Sequence, residues 1–158
     1  MANTQSMCTS FLGELMTATH NFGVAPIRAA TTADTFKAAL YLTSATVNAA
    51  TTTYSATGEV SGTNYSAGGV SVTNATPPSS TNTSSTAGVG YWTPSASITY
   101  TNVTLSTAFD CVLIYNSTQS NKAVSVHTFG SQTITAGNFT LTMPSNTTST
   151  ALLRLATT

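Results

Sequence analysis

Charge is what this chain lacks. Its basic side chains are Arg28, Lys37, Lys122 and Arg154, its acidic ones are Glu14, Asp34, Glu59 and Asp110, and together they are 5% of 158 residues. Ordinary soluble domains carry about 25%. Acid–base catalysis needs positioned titratable groups, and salt-driven nucleic-acid binding needs clustered Lys and Arg. The composition therefore points away from an enzyme and away from a nucleic-acid partner. Formal net charge is zero and the isoelectric point is near 6.7, which leaves no basic patch for DNA and no polybasic membrane anchor. A neutral surface also favours association over mutual repulsion.

Other absences narrow the field further. No run approaches the ~18 apolar residues of a membrane-spanning helix, so no membrane partner is expected. The first twenty residues hold no Lys or Arg, and Glu14 interrupts their apolar positions, so no secretory signal is expected. There are only two cysteines, Cys8 and Cys111. They read as small buried hydrophobes, with a long-range disulfide as the alternative. Seven N-x-S/T triplets start at Asn64, Asn74, Asn82, Asn102, Asn116, Asn138 and Asn146. A hydroxyl-rich chain generates such triplets by chance, and they do not establish glycosylation.

What fills the gap is hydroxyl: 35 Thr and 20 Ser. Hydrophobic residues still make up 41%, enough for one domain with its own core and against general disorder. One segment has a helical period. Cys8, Phe11, Leu12, Leu15, Met16 and Thr19 form a single stripe, which predicts an amphipathic helix over 6–22, with Ser6 or Thr4 as cap and Gly23 and Pro26 as its end. After it the chain reads as β, because Thr and Val are stiff at χ1 and suit a pleated surface. Strands are expected at 35–42, 58–61, 69–74, 96–105, 109–115, 123–129, 131–134, 138–143 and 151–155. The segment Phe109–Tyr115 is nearly continuous and apolar, the pattern of a strand covered on both faces.

Many short strands punctuated by Gly, Asn and Pro predict an all-β fold, an antiparallel β-sandwich or jelly roll with a short N-terminal amphipathic helix. Residues 1–25 would be a helical segment or arm, and 26–158 the sandwich. Residues 76–88 (TPPSSTNTSSTAG) are low-complexity and read as a flexible surface loop. A second irregular stretch, 44–57, is expected to tuck Val47 and Tyr54 onto the core. Tyr54-Ser55-Ala56-Thr57-Gly58 is echoed by Tyr65-Ser66-Ala67-Gly68-Gly69, read as local similarity between turns.

The candidates for chemistry are few. His20 and His127 are the only histidines. His20 is expected near helix C-terminal carbonyls and His127 on a strand, facing solvent or a neighbour. No G-x-S-x-G elbow accompanies the abundant serines. The spacing of His20, His127, Cys8 and Cys111 matches no zinc pattern. Asp34 reads as support for the turn before its strand, and Lys122 as a solvated turn residue. Gly68-Gly69 has no Lys or helix after it and reads as a turn. No catalytic, cofactor or metal residue is assigned. Tyr91 and Trp92 follow the loop and have two readings: a contact platform for protein or carbohydrate, or core closure beneath the loop. Phe11, Leu12, Leu15 and Met16 likewise are either core packing or the gripping face of an arm.

Four blocks carry a resemblance. They are Asp34-Thr35-Phe36-Lys37 with Ala39-Leu40-Tyr41; Glu59-Val60-Ser61-Gly62 with Tyr65 and Gly68-Gly69; Leu113-Ile114-Tyr115-Asn116-Ser117-Thr118 with Ser120-Asn121-Lys122-Ala123-Val124 and Phe129-Gly130; and Gly137-Asn138-Phe139-Thr140-Leu141 with Pro144 and Leu153-Arg154-Leu155. From about residue 8 to the C-terminus the chain resembles small virion proteins of tailed bacteriophages, including cyanophages; the third block is the most specific, and residues 76–107 match little. The resemblance implies a particle component and brings no catalytic residues. The role expected from it is a capsid decoration (cement) protein on the capsid surface, bound to the major capsid protein and often a homotrimer. The competing roles are a tail-fibre or tailspike adaptor, and a virion-surface module that binds host glycan through Tyr91 and Trp92.

Overall fold

The computed structural model describes residues 3–8, 11, 15, 19, 20, 22, 33–74, 78–81 and 88–156. Among them are β1 (Ser6–Met7), β2 (Phe36–Leu42), β3 (Val70–Val72), β4 (Ser79–Ser80), β5 (Val89–Trp92), β6 (Ile98–Asn116), β7 (Lys122–Leu141) and β8 (Leu153–Ala156). The fold is all-β and antiparallel. A five-stranded sheet has the order β1-β7-β6-β2-β3, and a three-stranded sheet the order β4-β5-β8.

The long hairpin β6–β7 is the spine. Its first part alternates: Ile98, Tyr100, Val103 and Leu105 are buried while Thr99, Thr101 and Asn102 are exposed. From Cys111 to Asn116 every residue is buried, as the unbroken apolar run requires of a strand covered on both faces. There β6 lies between β7 and β2, with Phe36 opposite Asn116 and Leu40 opposite Val112. The expected strands 96–105 and 109–115 are thus one strand, and so are 123–129, 131–134 and 138–143. The residues read as punctuation are absorbed as register shifts along the β6–β7 ladder. Asn102 and Ala136 take left-handed backbone conformations, with φ of 51° and 46°. Such bulges bend a strand without ending it.

β2 lies between β6 and β3 and carries Ala38 and Ala39, both fully buried. The backbone of Gly69 lies directly on β2: a Cβ there would sit 1.7 Å from the Ala38 carbonyl oxygen, and its φ is +72°. Only glycine satisfies both conditions. The expected strand at 58–61 is not formed; an isolated bridge joins Tyr41 to Glu59. β4 and β5 escaped the sequence pattern because backbone pairing, of β4 with β5 and of β5 with β8, rather than side-chain alternation, defines them.

The N-terminal expectation needs correction. Ser6 pairs with Val126 and Met7 with Ser125, and the Cys8 N–H donates to the Val124 carbonyl at 3.1 Å. A helix cannot begin at residue 6 while the free edge of β7 takes these backbone groups. Phe11 and Leu15 have helical geometry; the stripe residues Leu12 and Met16 lie outside the described residues. Of the low-complexity loop 76–88, only 78–81 and 88 are described, and Ser79–Ser80 pairs with Gly90 and Tyr91.

Candidate functional site

Three acidic side chains are described, and each is engaged by neutral donors from its own chain. Glu59 is the hub of the first centre. Its Oε1 accepts from the Tyr65 hydroxyl at 2.7 Å and the Gly68 N–H at 2.8 Å, and its Oε2 from the Tyr54 hydroxyl at 2.6 Å. The sequence echo is explained: its two tyrosines reach the same carboxylate from opposite sides in sequence. Tyr65 also accepts the Leu40 N–H at 3.0 Å, which ties the loop to β2. Tyr54 stacks on Tyr115 and Tyr65 on Tyr100, with ring centroids 4.8 Å and 5.9 Å apart. Tyr115 donates to the Gly68 carbonyl and Tyr100 to the Ala38 carbonyl, both at 2.8 Å. Burial, reinforced by the Glu59 charge, holds the phenols of Tyr41, Tyr54, Tyr65, Tyr100 and Tyr115 above the ordinary tyrosine value.

Asp34 anchors the second centre, where β2 begins and the β6–β7 turn closes. Its carboxylate accepts the Asn116 amide at 2.9 Å and the Gln119 amide at 3.0 Å. Asn116 is fully buried. Its Oδ1 accepts the N–H groups of Thr118 and Gln119, and its Nδ2 lies 3.1 Å from His20 Nδ1. Asp34 is expected to support the turn before its own strand; its carboxylate instead bonds to Asn116 and Gln119 at the distant turn 117–121. In the third centre, Asp110 accepts from the Asn3 amide at 2.6 Å, while Asn3 also grips Leu42 and Val47.

The side chains offered as contact surface sort differently. Trp92 is 3% exposed and Phe11 2%. Trp92 packs against Phe22 and Phe36, and Phe11 against His20 and Phe22. They belong to one buried aromatic cluster, so a platform built on Trp92, and a gripping arm that uses Phe11, are corrected to core packing. The apolar gain from burying such rings outweighs any surface role. Leu15 is half-buried against the same core. Tyr91 is half-buried on β5, opposite Arg154. His20 packs within the aromatic cluster, where a helix-end role was expected.

Reactive arrangements are sparse. Ser125 Oγ lies 2.9 Å from His127 Nε2, and Ser125 is 1% exposed. Burial lowers the His127 pKa to about 4, so its imidazole is neutral at physiological pH. Cys8 and Cys111 are buried; burial, then the Asp110 charge, pushes the Cys111 thiol up to about 12, far from a thiolate nucleophile. Among the described residues no cluster of His, Cys, Asp and Glu could hold a metal, and no helix is long and apolar enough to cross a membrane. An open groove of about 290 Å³ runs along one face of β6–β7, lined by Ile98, Ile114, His127, Phe139, Met143 and Leu152 among others. A second, of about 280 Å³, continues past His127 and Leu152 to Ser6 and Arg154.

No family model matches the chain, and no curated protein or solved structure does either. The first three of the four sequence blocks meet in space. Asp34 joins Asn116, Gly69 lies on Ala38, and Tyr65 bonds to Leu40 and Glu59. Their conspicuous residues serve the fold, and none of them presents a reactive site.

Proposed function

We propose that this chain is a structural component of a tailed-phage virion, a capsid decoration protein that binds the major capsid protein lattice from outside, and that it is folded as an antiparallel β-sandwich. The sandwich reading rests on contacts between the two sheets: Trp92 of β5 packs against Phe36 of β2, and Ser125 and His127 of β7 line one groove with Leu153 of β8.

The observation that carries the functional reading is how the few charges are used. Glu59, Asp34 and Asp110 are spent on hydroxyl, amide and backbone donors inside the chain, and Arg154 donates to the Thr148 carbonyl. The surface left for a partner is made largely of Thr and Ser. Such a surface docks through many short-range neutral contacts, which salt barely screens. A lattice protein can be held by many such contacts at once.

Copy number in purified particles tests the proposal directly. Decoration requires many copies spread over the head; a few copies confined to the tail would sink it in favour of an adaptor. Particles lacking the chain should lose head stability to heat or osmotic shock while still adsorbing to cells. Rebinding of the purified protein to depleted heads should change little between low and physiological salt; a steep fall would also count against it.

A further inference from the structure

Among the described residues, the three-stranded sheet ends on β8. β8 pairs with β5 in an unbroken register, Trp92 with Leu153 through Val89 with Ala156, and no described strand lies on its other side. Which backbone groups face that edge follows from β4. The Val89 carbonyl accepts the Thr81 N–H at 3.1 Å, and the Val89 N–H donates to Thr81 Oγ1 at 2.9 Å. Val89 and Tyr91 are therefore turned toward β4, and Gly90 and Trp92 toward β8, because backbone groups alternate sides along an antiparallel strand. Leu155 and Leu153, opposite Gly90 and Trp92, spend their groups on β5. Arg154 and Ala156 then direct their N–H and C=O groups outward. Leu155 sits between them and is the one exposed large hydrophobic residue among the described residues, 42% exposed.

We propose that β8 pairs with β8 of a second copy, antiparallel about a two-fold axis at Leu155. Outward groups must meet outward groups, and an axis at the exposed Leu155 then sets Arg154 opposite the second copy's Ala156 and Leu155 opposite its own counterpart. That central pair is the non-hydrogen-bonded kind, whose side chains approach most closely, so each copy's exposed leucine covers the other's. No like charges meet, because Arg154 faces alanine. The two small sheets become one continuous six-stranded sheet. Other edges are less suited: β7 is interrupted by register shifts along its ladder, and Ser95 already bonds to Thr73 beside β3. A four-residue strand buries far less than the ~1,200 Å² of a standard interface, so the pairing is weak and concentration-dependent. It is independent of the virion reading, and being two-fold it is distinct from the threefold association the family resemblance implies.

Cross-linking of the full chain tests it. In the proposed register the Cα atoms of the two Leu155 residues lie about 4.5 Å apart, within disulfide reach. The native cysteines are buried and do not compete. L155C under mild oxidation should give a covalent dimer at least tenfold faster than the exposed control S131C, and L155K should lower the sedimentation-average mass of the otherwise native protein at high concentration. Equal cross-linking rates in the two cysteine variants, or unchanged sedimentation of a folded L155K, would overturn the proposal.

Discussion

Replacing Glu59 should reveal how much of this fold hangs on one carboxylate. Glu59→Ala removes the acceptor for Tyr54, Tyr65 and the Gly68 N–H together. Hydrogen bonds to a charged group contribute about 1.5–3 kcal/mol each, and an unsatisfied buried donor costs a similar amount. Tyr54 can turn its hydroxyl to water, whereas Tyr65 is fixed by the Leu40 N–H and Gly68 is buried. A loss of about 3–5 kcal/mol is expected, a large share of the ~5–15 kcal/mol typical of a domain. Glu59→Gln keeps an oxygen for Tyr65 and Gly68 and offers Tyr54 a donor in place of an acceptor, so about 1–2 kcal/mol is expected. Urea denaturation followed by tryptophan emission reads all of these values. The cycle is completed with Tyr54→Phe, which should cost about 1–2 kcal/mol in the native background and almost nothing beside Glu59→Ala. The reasoning fails if Glu59→Ala costs under about 1 kcal/mol, or if the cost of Tyr54→Phe is the same in both backgrounds.

Stability should also depend on pH at both ends. His127 has a folded pKa lowered to about 4, against about 6.5 unfolded. Its contribution is present above pH 6.5 and is lost as pH falls toward 4, on the order of 3 kcal/mol; His127→Gln should flatten that slope in acid titrations. The five phenols around Glu59 have raised folded values, so their contribution is intact below about pH 10 and lost above it. Tyrosinate absorbance should then rise together with unfolding, and free titration of those phenols in a folded protein would contradict the burial. Trp92→Ala should cost about 3–5 kcal/mol, and the single tryptophan should emit at short wavelength until the chain unfolds; a red, solvent-like emission in the native state would refute its burial. Gly69→Ala should prevent folding or destabilise severely, read by circular dichroism, because its Cβ would overlap the Ala38 carbonyl oxygen.

Legibility followed how local the determining physics was. β2 and the segment Phe109–Tyr115 were readable because an unbroken apolar run has to be covered on both faces wherever it lies. The Glu59 centre left a trace in the Tyr-Ser-Ala echo, but nothing in spacing alone says that two turns aim their tyrosines at one carboxylate. Leu155 looked like part of an ordinary apolar strand; that it lies on the edge of the sheet formed by the described residues depends on which strands β5 accepts.

By itself, then, the sequence determined the class of the fold and the character of its surface. β-branched and hydroxyl residues favour pleated backbone, and eight charged residues cannot dress the exterior whatever the topology. Tertiary structure alone decided what becomes of particular residues. It turned the start of the expected helix into a strand because β7 had backbone groups to satisfy, and it sent Trp92 and Phe11 inward because Phe22 and Phe36 were there to pack against. It also buried Asp34 and half-buried Glu59 and Asp110, where neutral donors from distant segments converge on them. Hydrogen-bond satisfaction and close packing are properties of the assembled chain, and no local pattern encodes them.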